Sequence, residues 1–261
     1  MNDKNKIFTK NCPTPERIAL DIKSQGYFIY KNVIQREVIE DLRNFWLLYF
    51  GKISNNKVVR GNLILGEKNF NSYVDSSEWC LYRDFDFLWN KPTHKTTRRL
   101  NLEIHQLRNL AQGLPSDFGL TYSEDNYGFY GSTSNYPPCN GFLKNHSDGH
   151  NKEDIPILQF MVPITYKGYD YKGGGLVIIN KEGEKVDVDV QMTVGSLVFF
   201  DGRLQHGVEK IIPSEGKEIG RIATFAVPTF FLTDKDIPFL FRWILSGYLR
   251  LKRECILKTN D

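Results

Sequence analysis

GSLVFFDGRLQHGV, residues 195–208, contains an apolar four-residue run, LVFF, closed by Asp-Gly and followed by a histidine, the pattern of a buried strand that ends in a turn. Similar short runs surround it: GFYGSTSNYP (128–137), PILQFMVPITY (156–166), GGLVIIN (174–180), KVDVDV (185–190) and RIATFAVPTFF (221–231). Gly, Pro and Asn punctuate them at the intervals of an all-β sandwich or barrel. In KVDVDV, Val186, Val188 and Val190 alternate with Asp187 and Asp189, which predicts an antiparallel strand with one face buried and one wet. The expected fold is therefore mainly β with flanking helices, built on a double-stranded β-helix, a jelly-roll core like that of the cupins.

Upstream, the period changes. Thr14-Pro15-Glu16 supplies an N-cap, a first-turn proline and an acid for a helix reaching about Ser24, and Gly26 ends it. YFIYKNVI (27–34) reads as a strand, and Val38, Ile39, Leu42, Phe45, Trp46 and Tyr49 recur at helical spacing over residues 35–50. A further helix is expected over 96–114, whereas residues 51–92 are polar, aromatic and irregular. The expected organisation is one integrated domain: a helical part at 1–124 packed on the barrel, the jelly roll at 125–233, and an apolar C-terminal helix at 234–261 that offers a possible homodimer contact.

Composition narrows the function classes. Lys plus Arg number 34 against 31 Asp plus Glu, a net charge of +3 that gives no reason to expect nucleic acid. Cys12, Cys80, Cys139 and Cys255 form no CxxC pair, so free thiols in a reducing cytoplasm are expected. No stretch is apolar for long enough to predict a membrane span, and the N-terminus has no secretory h-region.

Of five histidines, His94, His105, His146, His150 and His206, two sit in informative surroundings. In KNHSDGH (144–150), His146 and Asp148 are two apart, so on an extended segment they project from one face. His206, sixty residues on, follows a strand that a jelly roll can return to that pair. Two imidazoles and a carboxylate on one face of an octahedron suit oxygen-activating non-haem Fe(II). Zinc with three ligands and a water suits the same set. His150 competes for a ligand position, but Gly149 predicts a turn, so His150 is read as a loop or substrate-facing residue.

The ordered set NYPPC (135–139), HSD (146–148), GGGL (173–176), GSLVFFDGRLQHGV and GRIATFAV (220–227) resembles the Fe(II)/2-oxoglutarate-dependent dioxygenase superfamily, nearest its prolyl-hydroxylase-like and phytanoyl-hydroxylase-like branches. The resemblance covers about residues 130–231. It implies His146, Asp148 and His206 as iron ligands, 2-oxoglutarate as cosubstrate with O2, and Arg221 as the anchor of the far carboxylate, a role suited to a forked guanidinium. Tyr136, Gln159 and Thr224 are the further candidate cosubstrate contacts. Relatives often carry Arg-x-Ser, whereas here Arg221, Ile222 and Ala223 precede Thr224, which is expected to face the other way. Asp148 itself resembles a hydroxylase, since halogenating relatives replace this carboxylate with a small residue.

The activity so implied is hydroxylation of an unactivated C–H bond in a small molecule such as an amino acid, a sugar or a natural-product intermediate, with release of succinate and CO2. The alternatives are a zinc-dependent cupin-type hydrolase or lyase, and a non-catalytic carboxylate-binding barrel. Phe160, Phe199 and Phe225 are candidates for a dry cavity wall. Residues 69–90 and 145–154 are read as lids, and Arg60, Arg83, Arg98 and Arg99 are read as solvated surface charge in preference to contacts for an anionic substrate.

Overall fold

The computed structural model describes residues 6–52, 63–120, 127–148 and 158–232. Helix α1 (Pro15–Gln25) begins where the Thr14 side chain accepts the Arg17 N–H, and it ends at Gly26, whose φ of 81° is the left-handed cap glycine tolerates. Strand β1 (Tyr27–Tyr30) follows, shorter than expected, and then α2 (Arg36–Phe50) and α3 (Lys95–Ala111). One face of each helix is buried: Ile18 of α1, Ile39, Leu42 and Trp46 of α2, and Leu100 and Ile104 of α3. Trp46 also donates through Nε1 to Thr97 Oγ1 at 2.8 Å, tying α2 to α3.

Eleven strands form one curled sheet. Besides β1 they are β2 (Phe70–Asp75), β3 (Trp79–Phe87), β4 (Tyr127–Tyr136), β5 (Phe142–His146), β6 (Leu158–Pro163), β7 (Tyr171–Ile179), β8 (Lys185–Asp187), β9 (Leu197–Asp201), β10 (His206–Pro213) and β11 (Arg221–Phe230). Their order is β1-β9-β6-β11-β4-β3-β5-β10-β7-β8, with β2 paired to β3, and every ladder is antiparallel. The short β3·β5 pairing, Trp79 opposite Leu143 and Cys80 opposite Phe142, is where the sheet folds over into its second layer. This is the jelly-roll architecture expected of a double-stranded β-helix.

The period-2 alternation of β11 sorts its side chains. Ile222 and Ala226 pack with the helices, while Arg221, Ala223, Phe225 and Val227 face the interior of the curl. Phe199 joins the helix-side core and Phe200 the interior one. Full burial of each such large apolar side chain contributes about 1.5–3 kcal/mol, which holds the helices on the outer layer.

Three expectations are corrected. Residues 1–124 are not simply helical, because β1 and the β2–β3 hairpin are built into the sheet. The hairpin also replaces the expected irregular lid over 69–90. KVDVDV does not run on as a strand: after Asp187 the chain tightens into a 3-10 turn, Asp189–Gln191, which exposes Val190 and buries Asp189. The apolar segment at 234–261 lies outside the described residues, as does the dimer contact expected of it. Among the described residues no helix is long and apolar enough to cross a membrane, and Cys12, Cys80 and Cys139 are free thiols.

Candidate metal centre and its cavity

His146, the last residue of β5, and His206, the first of β10, are direct cross-strand partners. Register therefore brings the two imidazoles together, with ring centroids 4.4 Å apart. Asp148 lies two residues past His146, and its backbone N–H donates to Gly202 O at 2.8 Å, which holds it beside the β9–β10 turn. Its oxygens stand 3.5 Å from His146 Nε2 and 3.6 Å from His206 Nε2. One ligand atom from each of the three residues falls within 4.8 Å of the others.

Both rings are oriented from behind. Nδ1 of His146 is 3.0 Å from Lys144 O and Nδ1 of His206 is 2.8 Å from Leu204 O. A carbonyl oxygen only accepts, so each Nδ1 carries the proton and each Nε2 turns its lone pair toward Asp148. Gln159 Nε2 donates to Asp148 Oδ2 at 3.0 Å and fixes the carboxylate. Burial opposes the Asp148 charge, but the His146 contact, the two imidazoles and Gln159 outweigh it and hold its pKa below the usual value. Once protonated, His146 would donate from Nε2 to Asp148, which raises its pKa, whereas burial lowers that of His206. Two neutral-competent imidazoles and an ionised carboxylate, preset to converge, fit a first-row divalent metal.

The three ligands form part of the wall of a cavity of about 440 Å³ that also includes Tyr136, Gln159 and Arg221. Arg221 reaches it from the first position of β11, opposite Tyr136 of β4, and its guanidinium lies 5.5 Å from the Tyr136 ring centre. The fork is partly occupied. Arg221 donates through Nε to Asp189 Oδ2 at 2.5 Å and through Nη2 to Asp189 Oδ1 at 3.1 Å. Asp189, expected on a wet strand face, is a buried counter-ion that also accepts from Tyr171 Oη at 2.6 Å and from the Leu176 N–H at 2.9 Å. Burial penalises both charges, yet each is held ionised by the other: the carboxylate pKa is lowered and the guanidinium pKa raised.

Thr224 does not reach the cavity. Its hydroxyl meets Asn101 of α3 and Thr133 of β4, each at 3.1 Å, on the helix side of the sheet. Gln159 is at the site, but its amide is engaged by Asp148. Phe225 lines the cavity, Phe160 borders it from the helix-side core, and Phe199 is away from it. His150 and Arg60 lie outside the described residues. Arg98 is not solvated charge but is forked onto the buried Asp86, and Arg83 lines the cavity. Sequence reasoning thus missed Asp189 and Tyr171 and ranked Arg83 as surface charge. The alternation of charge with Leu81, Phe85 and Phe87 in LYRDFDF is the signal that places Arg83 on a strand face.

No protein-family model and no curated protein matches the chain. Solved structures do resemble it. A prolyl-4-hydroxylase from Pseudomonas putida aligns with a TM-score of 0.56 at 16% identity, over 82% of this chain and 98% of that one. AviO1 from Streptomyces viridochromogenes Tue57 aligns at 0.53 and 14%, over 82% and 96%. SnoN, a non-heme alpha-ketoglutarate-dependent epimerase from nogalamycin biosynthesis, aligns at 0.51 and 12%, over 83% and 82%. At these identities the likeness establishes the fold. The chain thus shares the fold of these proteins and carries a cluster of two histidines and one carboxylate able to hold a metal ion.

Proposed function

We propose that this chain is an Fe(II)- and 2-oxoglutarate-dependent dioxygenase that hydroxylates an unactivated C–H bond of a small molecule and releases succinate and CO2. The observation that carries the reading is the placement of His146, Asp148 and His206 on the wall of one cavity that also holds a buried arginine, Arg221. When bound, Fe(II) with 2-oxoglutarate and O2 supplies the oxidising power. The protein supplies geometry. Three ligands grouped on one side of the ion leave the cavity side for the cosubstrate and O2.

Arg221 keeps Nη1 for the far carboxylate of 2-oxoglutarate, because Asp189 occupies Nε and Nη2 and Nη2 also meets Met161 Sδ at 3.8 Å. Asp189 also locks the guanidinium plane, so less rotamer entropy is lost when the cosubstrate binds. Tyr136 supports the face of that plane. Leu176, Phe200 and Val208 make this part of the cavity apolar, which excludes water from the reacting centre. The resembling folds include a prolyl-4-hydroxylase and an epimerase, so the scaffold sets the kind of oxidant rather than the fate of the substrate.

The test is 2-oxoglutarate turnover by the purified protein. Succinate is expected with Fe(II) in air, none under anaerobic conditions, and none after His206→Ala. Chemistry that proceeds without O2 and leaves 2-oxoglutarate intact would move the assignment to a hydrolase or lyase.

A further inference from the structure

Three arginines of the folded core are each forked onto a carboxylate: Arg43 onto Asp170, Arg98 onto Asp86 and Arg221 onto Asp189. Arg83 is not. Its contacts are Nε to Ser134 Oγ at 3.4 Å and two aromatic faces, with the guanidinium carbon 5.6 Å from the Phe85 ring centre and 5.4 Å from that of Phe225. No carboxylate pairs with it among the described residues. Yet it is a wall residue of the metal-centre cavity, on the same strand face as Trp79 and Leu81. A half-buried cation in a cavity wall, with no carboxylate beside it among the described residues, offers its charge to an incoming anion.

The setting defines what fills it. The two rings lie beside the guanidinium, and with Nε directed to Ser134 the Nη1 and Nη2 groups are left to donate in the plane of the group. A planar carboxylate matches that edge. Position separates this cation from the cosubstrate anchor. Arg221 lies against Tyr136, its own cross-strand partner, whereas Arg83 pairs with Ser134, two residues back along β4 and two strands from β11, and its guanidinium lies against Phe225. Arg83 is also near enough to the ligand end of the cavity for its charge to act on His146 and Tyr130. Past Phe225 the wall runs on with Tyr130, Val227 and Pro228, whereas Leu81 belongs to the Tyr136 end of the cavity.

We infer that Arg83 is the receptor for the carboxylate of the primary substrate, an apolar or aromatic carboxylic acid whose body lies along the Phe225–Pro228 wall. A phosphate dianion fits less well, since one free guanidinium balances only one of its charges. This rests on the dioxygenase reading only in calling the ligand a substrate. The binding site itself depends on the cavity alone.

The experiment uses the full chain loaded with Mn(II), which replaces Fe(II) without turnover, and 2-oxoglutarate. Calorimetric titrations compare acid and amide pairs of one skeleton, phenylacetate with phenylacetamide and acetate with acetamide, and add inorganic phosphate as a further probe. Wild type is expected to prefer phenylacetate over its amide by at least tenfold. Arg83→Gln should abolish that preference and Arg83→Lys should keep part of it, while 2-oxoglutarate affinity falls less than twofold in either. Loss of 2-oxoglutarate affinity in Arg83→Gln would reassign the residue to the cosubstrate, and equal affinity of wild type for acids and amides would overturn the proposal. Stronger binding of phosphate than of phenylacetate would overturn the carboxylate assignment. If wild type binds neither Mn(II) nor 2-oxoglutarate, the dioxygenase reading fails by itself. The acid-over-amide comparison in the metal-free chain then still decides the role of Arg83.

Discussion

Arg221 and Asp189, thirty-two residues apart, form a forked ion pair in which both side chains are at least 96% buried. A pair so desolvated is weak evidence of net stability, but breaking it strands a charge. Asp189→Ala is therefore expected to lower unfolding free energy by about 3–5 kcal/mol, read by urea denaturation. Saturating 2-oxoglutarate should then raise the melting temperature of the variant more than that of wild type, because the ligand carboxylate replaces the missing anion. Equal shifts would mean that the cosubstrate does not meet Arg221.

Gly175 makes that pair possible. Its φ is 110°, and a Cβ there would collide with the Asp189 carboxylate. Gly175→Ala should cost well over the roughly 1–2 kcal/mol of the left-handed backbone alone. Gly183→Ala is the control, since Gly183 has a φ of 83° with open space around it. Similar melting temperatures for the two variants would show that Asp189 relaxes freely.

The legible and illegible parts of this chain divide on physical lines. The ligand triad was readable because two of its members are two apart on an extended segment and the third ends an unmistakable buried strand. The partner of Arg221 was not. Val-Asp alternation over 186–190 has the period of a strand, and only the 3-10 turn at Asp189–Gln191 turns Asp189 inward. Strand β3 escaped for a related reason. It is enclosed on both faces, so Arg83, Asp84 and Asp86 stand in a largely buried strand and meet partners distant in sequence: Ser134, Tyr49 and Arg98. The charge–aromatic alternation of LYRDFDF therefore marks two enclosed faces and not a dry and a wet one, which is how sequence periodicity is ordinarily read.

Gln159 tests how the carboxylate ligand is held. Its amide donates to Asp148 Oδ2, so Gln159→Leu keeps the volume and removes the donor. Affinity for Mn(II), titrated against a chromophoric chelator, should fall about tenfold or somewhat more, the usual scale for a group that supports a metal ligand. The affinity for 2-oxoglutarate at saturating metal should stay close to that of wild type. The reverse pattern would return Gln159 to the role of cosubstrate contact.

Asp84 gives a pH dependence of stability whose sign is fixed by burial. It is 2% exposed on β3, and desolvation, with the Asp86 charge adding to it, raises its pKa from 3.8 to about 7 even though Tyr49 Oη donates to it at 2.8 Å. The native state then binds the proton more tightly than the unfolded chain, so between about pH 4 and pH 7 unfolding releases a proton and stability falls as pH rises. His105 acts in the opposite direction. Burial, with Arg108 beside it, lowers its pKa to about 3, so its contribution to stability grows between about pH 3 and pH 6.5. The net profile of the wild type hides both. Asp84→Asn removes one and leaves the other, so the difference between the two proteins isolates Asp84. From pH 5 to pH 7 the variant should gain roughly 2–3 kcal/mol relative to wild type, at up to about 1.4 kcal/mol per pH unit. Urea melts of both proteins in half-unit pH steps measure it, and parallel profiles would mean that the Asp84 carboxyl is already ionised at pH 5.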